Sequence, residues 1–218
     1  YKRQYSKESV LFDHIFSHQV GNKKAFDYLL ERTLKRPRDL LNYANHCLEK
    51  AEGSTDVSAR VIKKAERNYS TERLSAIISE WSLTYPTLSD LINSLKSKGP
   101  TIDFHSMSVA DFMEEVTLQI SYSKDAEKDP IFIMAEKLME EKKSLPLSGT
   151  LQFAKYIVRT LFYCGAVGVK LSPTSTYSWS GQDKLNVNDF NFQEGSMIQF
   201  HKMLWCALNY VPEDDENS

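Results

Sequence analysis

Thr33-Leu34-Lys35-Arg36-Pro37-Arg38-Asp39-Leu40 marks the point where one helix ends and the next begins. Proline suits a first helical position, because its missing N–H would be unpaired there in any case and its φ is already set. Leu40, Ala44, Cys47, Leu48 and Ala51 then recur at helical spacing, which predicts a helix over 37–51 that buries them. Asn42, Asn45, His46, Glu49 and Lys50 fall on the opposite side.

The charge at this helix start runs against the dipole. Lys35, Arg36 and Arg38 crowd its positive end, where each cation costs roughly 0.3–1 kcal/mol and an acid would help. Only Asp39 relieves it locally. A helix N-terminus attracts anions, and two arginines add bidentate donors for phosphate or carboxylate. Two readings follow. Arg36 and Arg38 form a phosphate-sensing corner, or they pair with carboxylates elsewhere in the fold.

Toward the amino end, residues 23–34 read as a helix burying Phe26, Leu29, Leu30 and Leu34, and Val20-Gly21-Asn22 reads as a break. Val10, Leu11, Phe12, Ile15 and Phe16 mark a short apolar helix or turn. His14 and His18 lie four apart but have no third ligand nearby, so they read as surface histidines. Toward the carboxyl end, Gly53 suits a helix stop and Thr55 or Asp56 a cap. A long helix should run from Val57 to Trp81, with Val61, Ala65, Ile77, Ile78 and Trp81 inward. Its Lys63, Lys64, Glu66, Arg67, Glu72 and Arg73 read as a solvated face of mixed sign. Tyr85-Pro86 ends it, because a residue before proline disfavours the helical region. Leu88–Leu95 is a shorter amphipathic helix, and Ser97-Lys98-Gly99-Pro100 closes a first, helical domain over residues 1–100.

The second domain, over 101–211, changes character part-way. Ser108 is placed to cap a helix carrying Val109, Phe112, Met113, Val116 and Ile120. Ser121–Asp129 reads as a loop. Pro130 opens a helix with Ile131, Met134, Ala135, Leu138 and Met139 inward, and Pro146–Gly149 reads as a turn. Leu151–Cys164 is helical and apolar on most sides. The period then becomes two: Val167–Leu171 and Thr176–Ser180 read as a strand pair, and Ser196–Phe200 as a third strand. Gly181–Gly195 is a polar loop with Phe190 and Phe192, and His201–Tyr210 a last helix. Residues 212–218 read as an acidic tail without structure. The fold class predicted is mainly α: a helical bundle followed by a winged-helix domain with a small β-hairpin wing, a relative of the helix-turn-helix.

In a DNA-reading winged helix the helix before the hairpin enters the major groove. Its candidate contacts here are Lys155 and Arg159, with Lys170 on the wing. Three cations are few for a phosphate backbone, so packing against another domain or a protein partner competes with DNA for this surface.

The 218 residues carry 41% hydrophobic and 11% aromatic side chains and a net charge of −2, enough for a core and too little positive charge for a nucleic-acid-coating protein. No apolar run approaches the roughly 20 residues needed to span a bilayer, and no signal peptide is visible. Cys47, Cys164 and Cys206 are widely spaced in apolar contexts and read as reduced, buried thiols in a cytoplasmic protein. The chain opens at Tyr1 in a polar run and reads as a piece of something longer.

Catalytic signatures are missing. There is no G-x-x-x-x-G-K-[ST] loop, no G-x-G-x-x-G, no H-E-x-x-H and no G-x-S-x-G. Asp111, Glu114 and Glu115 cluster at a helix start, where the dipole favours them. The segment is therefore expected to have no enzyme activity, bound cofactor or metal site of its own.

The run Tyr28-Leu29-Leu30-Glu31-Arg32-Thr33-Leu34-Lys35-Arg36-Pro37-Arg38-Asp39-Leu40 resembles a segment of bacterial P-loop ATPases in the STAND and origin-recognition-like branch of AAA+ proteins, where it opens the helical lid behind the ATPase core. Ala65–Ser70 with Glu80-Trp81 is similar to the lid's long helix, and Leu161–Val169 to the junction of the winged helix behind it. Gln199–Leu204 occupies the place of that family's closing strand and helix, with Lys202 where the family has proline. The resemblance implies an upstream ATPase core that holds ATP and magnesium, and a lid arginine, Arg36 or Arg38, that senses nucleotide phosphate. It also implies a winged helix that engages DNA or a protein partner. An interaction module standing alone is the rival.

Overall fold

The computed structural model describes residues 11–140, 147–181 and 190–210. It is mainly helical, with two small antiparallel sheets. The helices are α1 (Phe12–Ile15), α2 (Ala25–Glu31), α3 (Pro37–Lys50), α4 (Ala59–Trp81), α5 (Leu88–Lys96), α6 (Ala110–Ser121), α7 (Pro130–Glu140) and α8 (Leu147–Tyr163). The strands are β1 (Gln19–Val20), β2 (Lys23–Lys24), β3 (Thr101–Asp103), β4 (Val167–Lys170), β5 (Ser178–Trp179) and β6 (Met197–Phe200). Backbone proximity gathers them into two units: residues up to Arg73 with those from Lys202 onward, and Leu74–His201. The Gly99-Pro100 junction lies inside the second unit, between α5 and β3. No helix among the described residues is long and apolar enough to cross a membrane.

In the first unit, α3 begins with Pro37 in its first turn, as its sequence predicts. Its buried face is rotated from the expected one. Asp39, Tyr43 and Cys47 are inward, whereas Leu48 is 44% and Leu41 64% exposed. The reason is the Tyr43 ring, which stacks on Tyr69 of α4 with centroids 4.6 Å apart and 6° between planes. An aromatic pair of this kind gains about 0.5–1.5 kcal/mol beyond its buried area, enough to set the helix's rotation.

Residues 23–34 do not form one helix. Lys23-Lys24 pairs with Gln19-Val20 as a hairpin, and Gly21 takes the positive φ of +61° that its tight turn needs. The helix is confined to α2, which leaves Phe26 41% exposed. The cap of α4 is Ser58, whose Oγ accepts the Val61 N–H at 3.3 Å. Asp56 is instead 2.8 Å from His18.

In the second unit, α6, α7 and α8 pack on one another ahead of β4, β5 and β6, with β3 preceding them, the winged-helix layout. Phe112, Met113, Val116, Ile131, Ala135, Phe153, Ile157, Val158 and Leu161 fill the core. The sheet order is β3-β6-β4-β5 with every pair antiparallel. The central pairing is β4 with β6, Val167 opposite Phe200 and Lys170 opposite Met197. The expected partner of β4 is shorter, only Ser178-Trp179. Trp179 lies so close over Gly168 that a Cβ there would sit 2.7 Å from the ring, which accounts for glycine in the middle of a strand. Strand β3 has no counterpart in the sequence reading: three residues with one apolar side chain show no period.

Three further expectations fail for local reasons. Ser108 does not cap α6; it ends a 3-10 turn, its hydroxyl donates to the Phe104 carbonyl at 3.1 Å, and Val109 takes the cap position. Residues 147–149 are the start of α8 and not a turn, while Pro146 lies outside the described residues. The last helix is a single 3-10 turn, Lys202–Leu204, followed by turns in which Asn209 has φ +58°. The described part of the Gly181–Gly195 loop is irregular as expected, and its two aromatics are packed: Phe192 stacks on Phe104 at 3.8 Å and Phe190 meets Phe162 edge-on at 5.2 Å. The rest of that loop, 182–189, and the acidic tail lie outside the described residues.

Candidate anion site at the start of helix α3

The α2–α3 turn is held onto α4 by two ion pairs of opposite sense. Arg32 Nε donates to Glu66 Oε1 at 2.7 Å, and Asp39 Oδ1 lies 3.6 Å from Arg73 Nη1. Glu66 and Arg73 are seven apart, so both project from the same side of α4. This contradicts the solvated reading of Glu66, whose side chain is 4% exposed.

Glu66 is a hub. Tyr28 donates to it at 2.6 Å and Tyr43 at 3.4 Å, and the Arg32 guanidinium stands 3.5 Å over the Tyr28 ring. Burial pulls the Arg32 pKa down, but the charge of Glu66, and Tyr28 after it, raise it above the ordinary guanidinium value. Burial, followed by the Glu66 charge, pushes the Cys47 and Cys206 thiols up to about 12. All three cysteines are buried and unpaired, so these thiols stay protonated and unreactive. Glu31 gathers Lys23 and Lys202, the latter at 3.2 Å.

Arg36 and Arg38 stand apart from this network. Both are exposed, and neither forms an ion pair with a carboxylate among the described residues. Arg36 is the N-cap of α3 with extended backbone, φ −91° and ψ 130°, and no side chain caps the helix. Lys35 before it has φ +54°, an uncommon conformation for a lysine. Of the two readings of this corner, pairing to carboxylates within the described residues is not what the structure contains. The charges that do the pairing are Arg32 and Asp39. Their signal in the sequence was the acid and base spaced seven apart on the long helix.

Lys155 and Arg159 lie one turn apart on α8, half-buried, along a stripe with Gln152, Tyr156 and Tyr163. Tyr156 in that stripe hydrogen-bonds Tyr85. Lys170 is at the far end of β4, half-buried. Tyr163 is half-exposed, so the stripe offers two cations, an amide and two phenols rather than a basic surface. Among the described residues no group of three or more His, Cys, Asp or Glu could hold a metal ion.

The class these features define is a mainly α chain with a winged-helix unit and a cationic helix start. Residues 1–78 match a family model described as the FunZ-associated C-terminal helical domain. The chain is also similar to the "Putative transposon gamma-delta 80.3 kDa protein" of Escherichia coli (strain K12), 23% identical over 223 residues. That alignment covers 99% of this chain and 29% of the relative, so the chain spans less than a third of that protein's length. No solved structure matches. Both matches fit a carboxy-terminal helical region of a larger protein.

Proposed function

We propose that this chain is the regulatory carboxy-terminal region of a larger P-loop ATPase, with no phosphate loop of its own. Arg36 and Arg38 would meet nucleotide phosphate held by an upstream core that also holds ATP and magnesium. The winged-helix unit would pass the nucleotide state to a protein partner or to DNA. The observation that carries the reading is the pair of exposed arginines, without carboxylate partners among the described residues, at the start of α3. Coupling needs contacts that differ between the ATP and ADP states, and cations placed against a helix dipole supply them only when phosphate charge is present.

In the full-length protein, changing Arg36 and Arg38 together to alanine is expected to lower ATP turnover about tenfold or more while leaving the melting temperature unchanged. Unchanged turnover, or an upstream reading frame without a phosphate loop, sinks the proposal.

A second reading, a free-standing winged-helix module, rests on Lys155 and Arg159 sharing one stripe of α8. The relative's name places that protein on a transposon, which makes duplex DNA the first ligand to try. Three phosphate contacts predict a slope of log K against log salt no steeper than about −3. A gel shift at low salt that is lost in K155A/R159A/K170A supports this reading. No shift at low salt excludes DNA and leaves protein engagement.

A further inference from the structure

Between the first turn of α3 and α4 lie three buried polar atoms that nothing in the described chain satisfies. They are Asp39 Oδ2, Tyr69 Oη and Arg73 Nε. Asp39 is 5% exposed and Tyr69 is fully buried, and the one contact between Asp39 and Arg73 is long at 3.6 Å. Tyr69 cannot swing away, because its ring is stacked on Tyr43. Its hydroxyl lies within the fields of both Asp39 and Arg73. Buried polar groups are nearly always paired, and here three unpaired ones gather at a helix start whose exposed Arg36 and Arg38 have no carboxylate partner among the described residues.

Their chemistry restricts what could satisfy them. Arg73 Nε can only donate, an ionised Asp39 Oδ2 can only accept, and a tyrosine hydroxyl can do either. A simple anion would serve the arginines but set a bare oxygen against Asp39. An ammonium donor would serve Asp39 but not the arginines, and a neutral hydroxyl can bond to both sides but brings no charge to set against the guanidinium groups.

We propose that the start of α3 binds a protonated oxyanion, for which inorganic phosphate is the simplest case. Its P–O oxygens accept from Arg73 Nε, the Tyr69 hydroxyl, Arg36 and Arg38, and its P–OH donates to Asp39 Oδ2. This rests on reading the corner as an anion site, but not on the ATPase. Sulfate has the same shape yet carries no proton at neutral pH, so Asp39 repels it. A phosphate monoester keeps its proton only below a second pKa of about 6, so it binds in mildly acidic solution and weakens above.

The test is a titration of the 218-residue chain at neutral pH with sodium phosphate, and separately with sodium sulfate at matched ionic strength. Melting temperature and heat of binding are read together. Phosphate is expected to raise the melting temperature saturably, with sulfate weaker by at least about a hundredfold, within the penalty of up to roughly 10⁴–10⁵ when a site built to hydrogen-bond a hydroxyl meets an analogue without one. Asp39→Asn should erase that preference, because an amide can donate to sulfate. Arg36→Ala with Arg38→Ala should weaken both anions. Tyr69→Phe keeps the ring stack and should weaken phosphate, which covers the case where Asp39→Asn fails to fold. No saturable response to phosphate overturns the site. Equal response to both anions overturns the role of Asp39, and with it the protonated ligand. Phosphate binding without ATP turnover in the full-length protein would leave this inference standing and remove the ATPase.

Discussion

Changing Glu66 to Gln is expected to destabilise the chain by about 3–5 kcal/mol, the cost of breaking a buried ion pair from one side. The measurement is urea unfolding, with a lower midpoint and an unchanged m-value. Glutamine keeps the size of Glu66 and can still accept from Tyr28 and Tyr43. It leaves Arg32, 13% exposed, with only the longer 3.6 Å pairing of its Nη1 to Oε2 of the more exposed Glu31. The guanidinium cannot escape by losing its proton, and the Tyr28 ring beneath it supplies only part of what the carboxylate did. The partner experiment is Arg32→Met with Glu66→Leu. Replacing both charges by apolar groups should recover most of the loss, since a buried pair owes little net stability to its attraction. A loss under about 1 kcal/mol for Glu66→Gln, the range of exposed pairs, would show that Glu66 is solvated after all.

The same pair shows what a sequence reveals and what it hides. Elements came through where local chemistry decides them: Pro37 and Pro130 open helices because φ is preset, and α5 and α6 follow their apolar stripes. The winged-helix layout was legible because the apolar period changes from helical to two after Cys164. What stayed hidden depends on partners distant in sequence. Glu66 looks like its neighbours Lys64 and Arg67 until Arg32, 34 residues away, is seen beside it. Tyr43 was unremarkable until Tyr69 turned α3 toward it. β3 exists only because β6, nearly a hundred residues on, pairs with it. The candidate site divides the same way. Arg36 and Arg38 were visible as cations placed against a helix dipole. Tyr69 and Arg73 were not, because nothing local distinguishes a buried unpaired hydroxyl from a paired one.

Changing Asp129 to Ala is expected to cost about 3–5 kcal/mol, because one carboxylate holds the starts of two helices. Oδ1 accepts the Ile131 N–H at 2.7 Å, capping α7. Oδ2 accepts the Thr87 N–H at 2.7 Å and the Thr87 hydroxyl at 2.8 Å, where α5 begins. Asp129 and Thr87 are both fully buried, so no water can replace the lost acceptor without opening the fold. An ordinary cap contributes about 0.5–2 kcal/mol, and each buried donor left unpaired adds about 1–3 kcal/mol. The roles can be separated. Asp129→Ser retains a capping oxygen for Ile131 but is too short to serve Thr87 as well. Thr87→Val removes the hydroxyl bond and leaves the N–H bond in place. If the carboxylate joins the two helices, Asp129→Ser should keep roughly half the stability that Asp129→Ala loses. Adding Thr87→Val to Asp129→Ala should then cost less than Thr87→Val does alone, as expected of residues that share an interaction. Strictly additive losses would mean that each helix start is satisfied independently. Asp129 would then be only the cap of α7.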